Sequence, residues 1–150
     1  MSLELTSPKF DNGGEIPRKY GYNYENVNPP LKINGVPDGT ESLVLVVDDP
    51  DAKEPAGKVW THWVMWNIEP NTTFIYENGD PPGAVEGKND YGKSGYGGPN
   101  PPDKEHTYRF MLFALDTSLD LRAPAGKSEV QKAMKGHVLE KVMLKGTYAP

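Results

Sequence analysis

Two histidines, three aspartates and a tyrosine are the side chains whose types and spacing could do chemistry in this 150-residue chain. Asp48, Asp49 and Asp51 follow directly on the apolar run Ser42–Val47, and Pro50 stiffens the backbone between the last two. His62 lies inside WTHWVMWNI, and His106 and Tyr108 open HTYRFMLFAL. Two residues apart on a strand, His106 and Tyr108 share a face. The stretch leading to them, YGKSGYGGPNPPDKEHTY, is too rich in glycine and proline for a helix and reads as a rigid loop. Polar tips on a rigid frame are how pocket walls are built. Taken singly, each residue has a blander role. An aspartate after a strand closes a turn, and a strand histidine is more often a satisfied core residue than a ligand. As a group, two strand histidines beside loop boundaries and an acidic corner are more specific.

Three chemistries use such a set. Two histidines and a carboxylate can hold iron or zinc, but neither HxH nor HExxH spacing occurs, so no metal is expected. Acid–base or nucleophilic catalysis needs a nucleophile. The chain has no cysteine and no G-x-S-x-G elbow, and of its serines only Ser94 falls near the loop. Anion binding needs only donors: imidazole N–H, tyrosine O–H and loop backbone N–H, with carboxylates orienting the imidazoles and favouring their charged form. The third chemistry matches the inventory best. Affinity for a fixed-charge anion should then fall as pH rises past about 7. No cofactor is called for and no enzyme is expected.

Composition narrows the field. A net charge of −5 without a basic cluster argues against a nucleic-acid surface. No apolar run approaches the length of a membrane span, and MSLELTSPKF has no signal-peptide layout, so a cytoplasmic protein is expected. Residues 87–94, GKNDYGKS, match the phosphate-loop pattern. That pattern works only between a strand and a helix N-terminus. Neither NGDPPGAVE before it nor GYGGPNPP after it qualifies, so no nucleotide site is inferred.

Positioning falls to a mainly β single domain, residues 1–150. The continuous apolar run at Ser42–Val47 reads as a central strand. Trp60–Ile68 is a second strand, with His62, Val64, Trp66 and Ile68 on one face and Trp63, Met65 and Asn67 on the other. His106–Leu115 is a third. Leu3–Leu5 suggests a short edge strand, residues 20–40 a series of turns and residues 69–105 a long loop. Ser128 can cap one helix carrying Val130, Ala133, Met134, His137 and Val138, with Gly136 as its weak point. On that helix His137 reads as structural. Val142–Tyr148 completes the set as a last strand.

Taken together, the motifs resemble the phosphatidylethanolamine-binding protein family, which includes the Raf kinase inhibitor proteins, and within it the compact bacterial and archaeal branch. The matching segments are DPDA (49–52), WTHWVMWNI, GKNDYGKSGYGGPNPP, HTYRFMLFALD and KAMKGHVLEKVMLKGTY, with SPKF, NVNPPL and GVPDGTESLVLVV earlier. The resemblance spans nearly the whole chain, in order. It implies an antiparallel β-sandwich-like fold with a large central sheet, a smaller sheet and a helix in the C-terminal region. It implies a small cavity for phosphate-like or carboxylate anions, including a phospholipid head group. The family's cavity positions fall here on Asp49, Asp51, His62, Gly98, Pro99, His106 and Tyr108, with Trp60 at the rim. It further implies modulation of a kinase or protease partner and a homodimer. A serine protease inhibitor acting through an exposed loop is the first alternative. A hydrolase or metalloenzyme is the second. Two departures stand out: Thr107 where the family commonly has arginine, and Asn100 where the compact branch often has cysteine.

Overall fold

The computed structural model describes residues 2–150. Among these residues nine strands and two α-helices follow in order: β1 (Glu4–Thr6), β2 (Gly14–Glu15), β3 (Leu31–Asn34), β4 (Ser42–Asp49), α1 (Lys53–Ala56), β5 (Trp60–Ile68), β6 (Phe74–Ile75), β7 (Val85–Glu86), β8 (His106–Leu115), α2 (Lys127–Met134) and β9 (Val138–Tyr148). Six strands form the large sheet, in the order β2-β9-β8-β4-β5-β7, and β1-β3-β6 form a small one. The short β2–β9 pair is parallel; the other pairs are antiparallel. This is the expected mainly β, two-sheet architecture. Among the described residues, no helix is long and apolar enough to cross a membrane.

The apolar run of β4 is buried at every position because the strand is central and covered on both faces. Leu43, Leu45 and Val47 join Trp63, Met65, Tyr108, Phe110 and Leu112 in the core between the sheets. Val44 and Val46 face the other way and pack with Val64, Trp66, Val130 and Met134 beneath α2. Two layers of apolar side chains thus sandwich the sheet that carries the site. Trp63 and Trp66, both fully buried on opposite faces, are its largest anchors.

Strict alternation along β5 does not hold. The β4–β5 register steps from Val47 opposite Trp63 to Asp48 opposite Thr61, leaving His62 as an extra residue. A bulge of this kind re-aims one side chain. His62 therefore leaves the face of Val64 and Trp66 and turns to the side of Tyr108. A second irregularity, where Asn67 adopts φ 56°, carries Ile68 into the inter-sheet core as well.

The C-terminal segment also differs from expectation. The helix starts two residues earlier, with Gly126 rather than Ser128 at its N-cap, and ends at Met134. Gly136, at φ 83°, sits where glycine alone is comfortable and breaks the chain away. Residues 138–148 are all strand, longer than the periodicity from Val142 indicated. His137 is consequently not on a helix face: it lies in the connection, nearly half exposed, and bonds the Asp116 carboxylate at 2.8 Å.

Candidate functional site

Where β4 ends, its last two aspartates point to opposite faces. Asp49 lies on the inter-sheet side, and its carboxylate accepts the Asp51 N–H at 2.9 Å, capping the 3-10 turn over Pro50–Ala52. Beside it opens a cavity of about 380 Å³. Asp49, Trp60, His62, His106 and Tyr108 line it, with Tyr91 and Asn100 from the long loop. Ala52, Pro55, Ala56, Pro101 and Pro102 supply apolar wall. Five of the eight residues expected at the site therefore converge on one hollow.

The other three stand behind it. The Asp51 carboxylate accepts the Thr107 N–H at 2.9 Å and joins the turn to the start of β8. Gly98 donates its N–H to Asn26 Oδ1 at 2.7 Å and accepts the Tyr91 hydroxyl at 2.8 Å. A Cβ there would collide with the Tyr20 carbonyl, so glycine is required by close backbone approach. The Pro99 carbonyl accepts the Tyr22 N–H at 2.9 Å. These residues pin the loop against the segment 20–26, while their neighbours Asn100, Pro101 and Pro102 face the hollow. Tyr22 stacks on Tyr91 at 4.0 Å and fixes that ring.

The two imidazoles differ in protonation. His106 is 1% exposed, and both its nitrogens meet carboxylates: Nδ1 meets Asp49 Oδ2 at 2.6 Å and Nε2 meets Asp103 Oδ1 at 2.7 Å. Only an imidazolium can donate both bonds. Burial pulls its pKa down, but the two carboxylates outweigh burial and raise it. Burial likewise pushes Asp49 up, while the bond to His106 pulls it back. Asp103, exposed to water, is lowered despite some desolvation, because it bonds His106. His62 is the reverse case. Burial lowers its pKa to about 4, and its Nδ1 lies 2.7 Å from the Gly97 carbonyl. A neutral ring must donate from Nδ1 there, which leaves a lone pair on Nε2. The expectation that carboxylates would charge both imidazoles therefore holds for His106 alone.

Two donors in the cavity wall have no partner. The Trp60 indole N–H and the Tyr108 hydroxyl are both shielded from water and make no hydrogen bond among the described residues. Burial, and then the Asp49 charge, push Tyr108 far above an ordinary phenol, so it keeps its proton. A buried donor left unmade costs about 1–3 kcal/mol, and an acceptor brought in by a ligand would recover it. Among the described residues no lysine or arginine lines the hollow, so none of them replaces the arginine missing at Thr107. No cluster of three His, Cys, Asp or Glu side chains able to hold a metal forms among the described residues. The phosphate-loop-like segment closes on itself, Gly95 N–H bonding the Gly87 carbonyl at 3.1 Å, and no helix follows it.

Comparison with known proteins accords with this fold. The family model described as phosphatidylethanolamine-binding protein matches residues 6–149. A UPF0098 protein of Methanothermobacter thermautotrophicus is 47% identical over 151 residues, covering 97% of this chain and 98% of the relative. A second, from Pyrococcus horikoshii, is 45% identical over 99% of this chain and 77% of its own. Among solved structures, a putative phosphatidylethanolamine-binding protein homolog, CT736 of Chlamydia trachomatis, matches with a TM-score of 0.93. It is 37% identical, with 98% of this chain and 97% of that one covered. E. coli YbcL, described as a new member of the mammalian family, matches at 0.91 with 29% identity, over 99% and 98%. This chain belongs to the phosphatidylethanolamine-binding protein family. Membership supports a ligand-binding role in general.

Proposed function

We propose that the protein is a non-catalytic binder of small oxyanions, taking a carboxylate or phosphate-like head group into the hollow between Asp49, His62, His106 and Tyr108. The observation that carries the reading is the pair of unpartnered donors, Trp60 N–H and Tyr108 O–H, on residues that line the hollow with Asp49 and His62. Donors without acceptors favour an acceptor ligand. His106, charged and locked between Asp49 and Asp103, orients the site rather than shuttling protons. No nucleophile stands beside it: the Ser94 hydroxyl bonds the Glu86 carbonyl instead. Occupancy would report to a partner such as a kinase or protease, from a cytoplasmic protein that pairs as a homodimer.

Titration calorimetry with acetate, phosphate, phosphoethanolamine and phosphotyrosine tests the reading. At least one should bind with one-to-one stoichiometry, and Tyr108→Phe should weaken it. If none binds and the protein instead blocks a serine protease at stoichiometric dose, the exposed-loop inhibitor replaces this proposal.

A further inference from the structure

The hollow has the wrong charge for an anion in its resting state. Asp49 in the wall and Asp103 bonded to His106 carry two negative charges against the single positive charge of His106, and among the described residues no lysine or arginine lines the wall. Both N–H groups of His106 are already committed to those carboxylates. His62, with Nδ1 bound to the Gly97 carbonyl, presents Nε2 without a hydrogen bond. An anionic oxygen placed against that lone pair is repelled. One proton on Nε2 turns the repulsion into a charge-assisted bond. It also creates a third donor to stand with Trp60 N–H and Tyr108 O–H.

From this the geometry points to proton-coupled binding: the hollow takes up a monovalent oxyanion together with one solvent proton, which lodges on His62 Nε2. This deepens the reading under Proposed function and rests on it. The bookkeeping is simple. One N–H bond forms on His62, no bond in the ligand breaks, and the added charges cancel. A dianion brought in with the same single proton leaves an uncompensated negative charge beside the buried Asp49 carboxylate, against the buried apolar wall of Ala52 and Pro101. The ligand class is therefore an organic carboxylate or a singly charged phosphate monoester, not a fixed dianion.

The surroundings of His62 leave no competing proton acceptor in contact with Nε2. The rings facing it are Tyr108 from β8 and Tyr91 from the loop, with centroids 5.2 and 5.8 Å away, and both hold their protons because burial raises their pKa values. The charges of Asp48 and Asp90 reach it from a distance, and both favour a proton on the ring. Asp49 and His106 line the same hollow already bonded to each other, and the second nitrogen of His106 is taken by Asp103, which does not line it.

Calorimetry from pH 5.5 to 8.5, in two buffers of unlike ionisation enthalpy, reads the coupling directly, with acetate, phosphoethanolamine and sulfate as probes. Acetate binding should take up close to one proton. Its affinity should fall about tenfold per pH unit across this range. Sulfate should bind at least about tenfold more weakly than acetate at pH 6. Phosphoethanolamine should weaken more steeply than acetate above pH 6, as its second proton leaves. His62→Gln, which can still donate to the Gly97 carbonyl, should bind with no proton uptake. Acetate binding that is flat with pH and takes up no proton, or a preference for sulfate at pH 8, would overturn the inference while leaving the anion-binding reading intact. Absence of binding by all three probes at every pH removes both.

Discussion

Asp48 and Asp49 are adjacent in sequence and both are buried, yet they face opposite sides of β4 and are answered differently. Asp48 has no exposure at all and meets two full cations. Arg109 donates to it from Nε at 2.7 Å and from a terminal nitrogen at 2.9 Å, and Lys127 adds its ammonium at 2.7 Å. Those bonds tie β4 to β8 and to the start of α2. Asp49 meets one imidazolium, whose other nitrogen is claimed by Asp103, and its neighbourhood holds donors that nothing satisfies. Matched charge on one face builds framework; unmatched polarity on the other leaves room for something to arrive. Burial alone would not have separated them, since both aspartates are nearly inaccessible.

Breaking the framework side should have the largest effect. The double substitution Arg109→Ala and Lys127→Ala strands Asp48 without a cation. Removing the partners of a buried charge costs about 3–5 kcal/mol, a loss that urea unfolding at pH 7 would show. If stability changes by less than about 1 kcal/mol, Asp48 is better solvated than its burial indicates and the contrast fails.

A comparable but pH-dependent effect belongs to His62. Its ordinary value of 6.5 falls to about 4 in the folded protein. The unfolded chain therefore binds the proton first as pH drops, and stability is lost between pH 6.5 and about 4. At about 1.4 kcal/mol per pH unit the loss approaches about 3 kcal/mol. His106 acts in the other direction: its raised value contributes stability that is complete below pH 6.5 and disappears as pH rises through the folded value. Denaturation curves at pH 7 and pH 4.5 should bring wild type and His62→Gln closer together in acid, or reverse them. Parallel pH dependence of the two proteins would mean that the His62 ring does not titrate late.

The smallest effect sharpens the binding side. Tyr108→Phe deletes a hydroxyl without a partner, so the ligand-free protein should be unchanged or more stable by up to about 1 kcal/mol. Affinity for acetate should meanwhile drop roughly tenfold, the worth of one hydrogen bond. A stability loss above about 2 kcal/mol would show the hydroxyl to be bonded within the protein after all.

The sequence made β4, β5 and β8 legible because their apolar runs leave little choice: β4 is apolar from Leu43 to Val47, and β8 alternates as half-buried strands do. The family resemblance rested on those segments together with residues 87–102, 132–148 and the stretches around Ser7 and Asn28, while the grouping of His62 with His106 came from the strands and loop boundaries themselves. What escaped was local or cooperative. β3 is four residues long and was hidden between turn signals at Asn28-Pro29-Pro30 and Asn34-Gly35. The extra residue at His62 left no mark, since WTHWVMWNI reads as unbroken alternation. Asp103 lies three residues before His106, yet a proline-rich loop gives no reason to expect it to fold back onto the ring. Arg109 and Lys127 converge on Asp48 only once α2 has packed on the sheet. Gly98 and Pro99 were placed by resemblance, and the structure puts them behind the wall that their neighbours form.

The extra residue in β5 carries one more implication. Excising Thr61 would let the strand straighten and hand its place to His62. The ring would swing under α2, Asp48 and Asp49 would keep their strand partners, and the hollow would be left without its base. Under the proposed reading, a single-codon deletion would erase recognition while leaving the β4–β8 pairing in place. Variation of length at this point among relatives would then record which lineages keep the imidazole in the hollow.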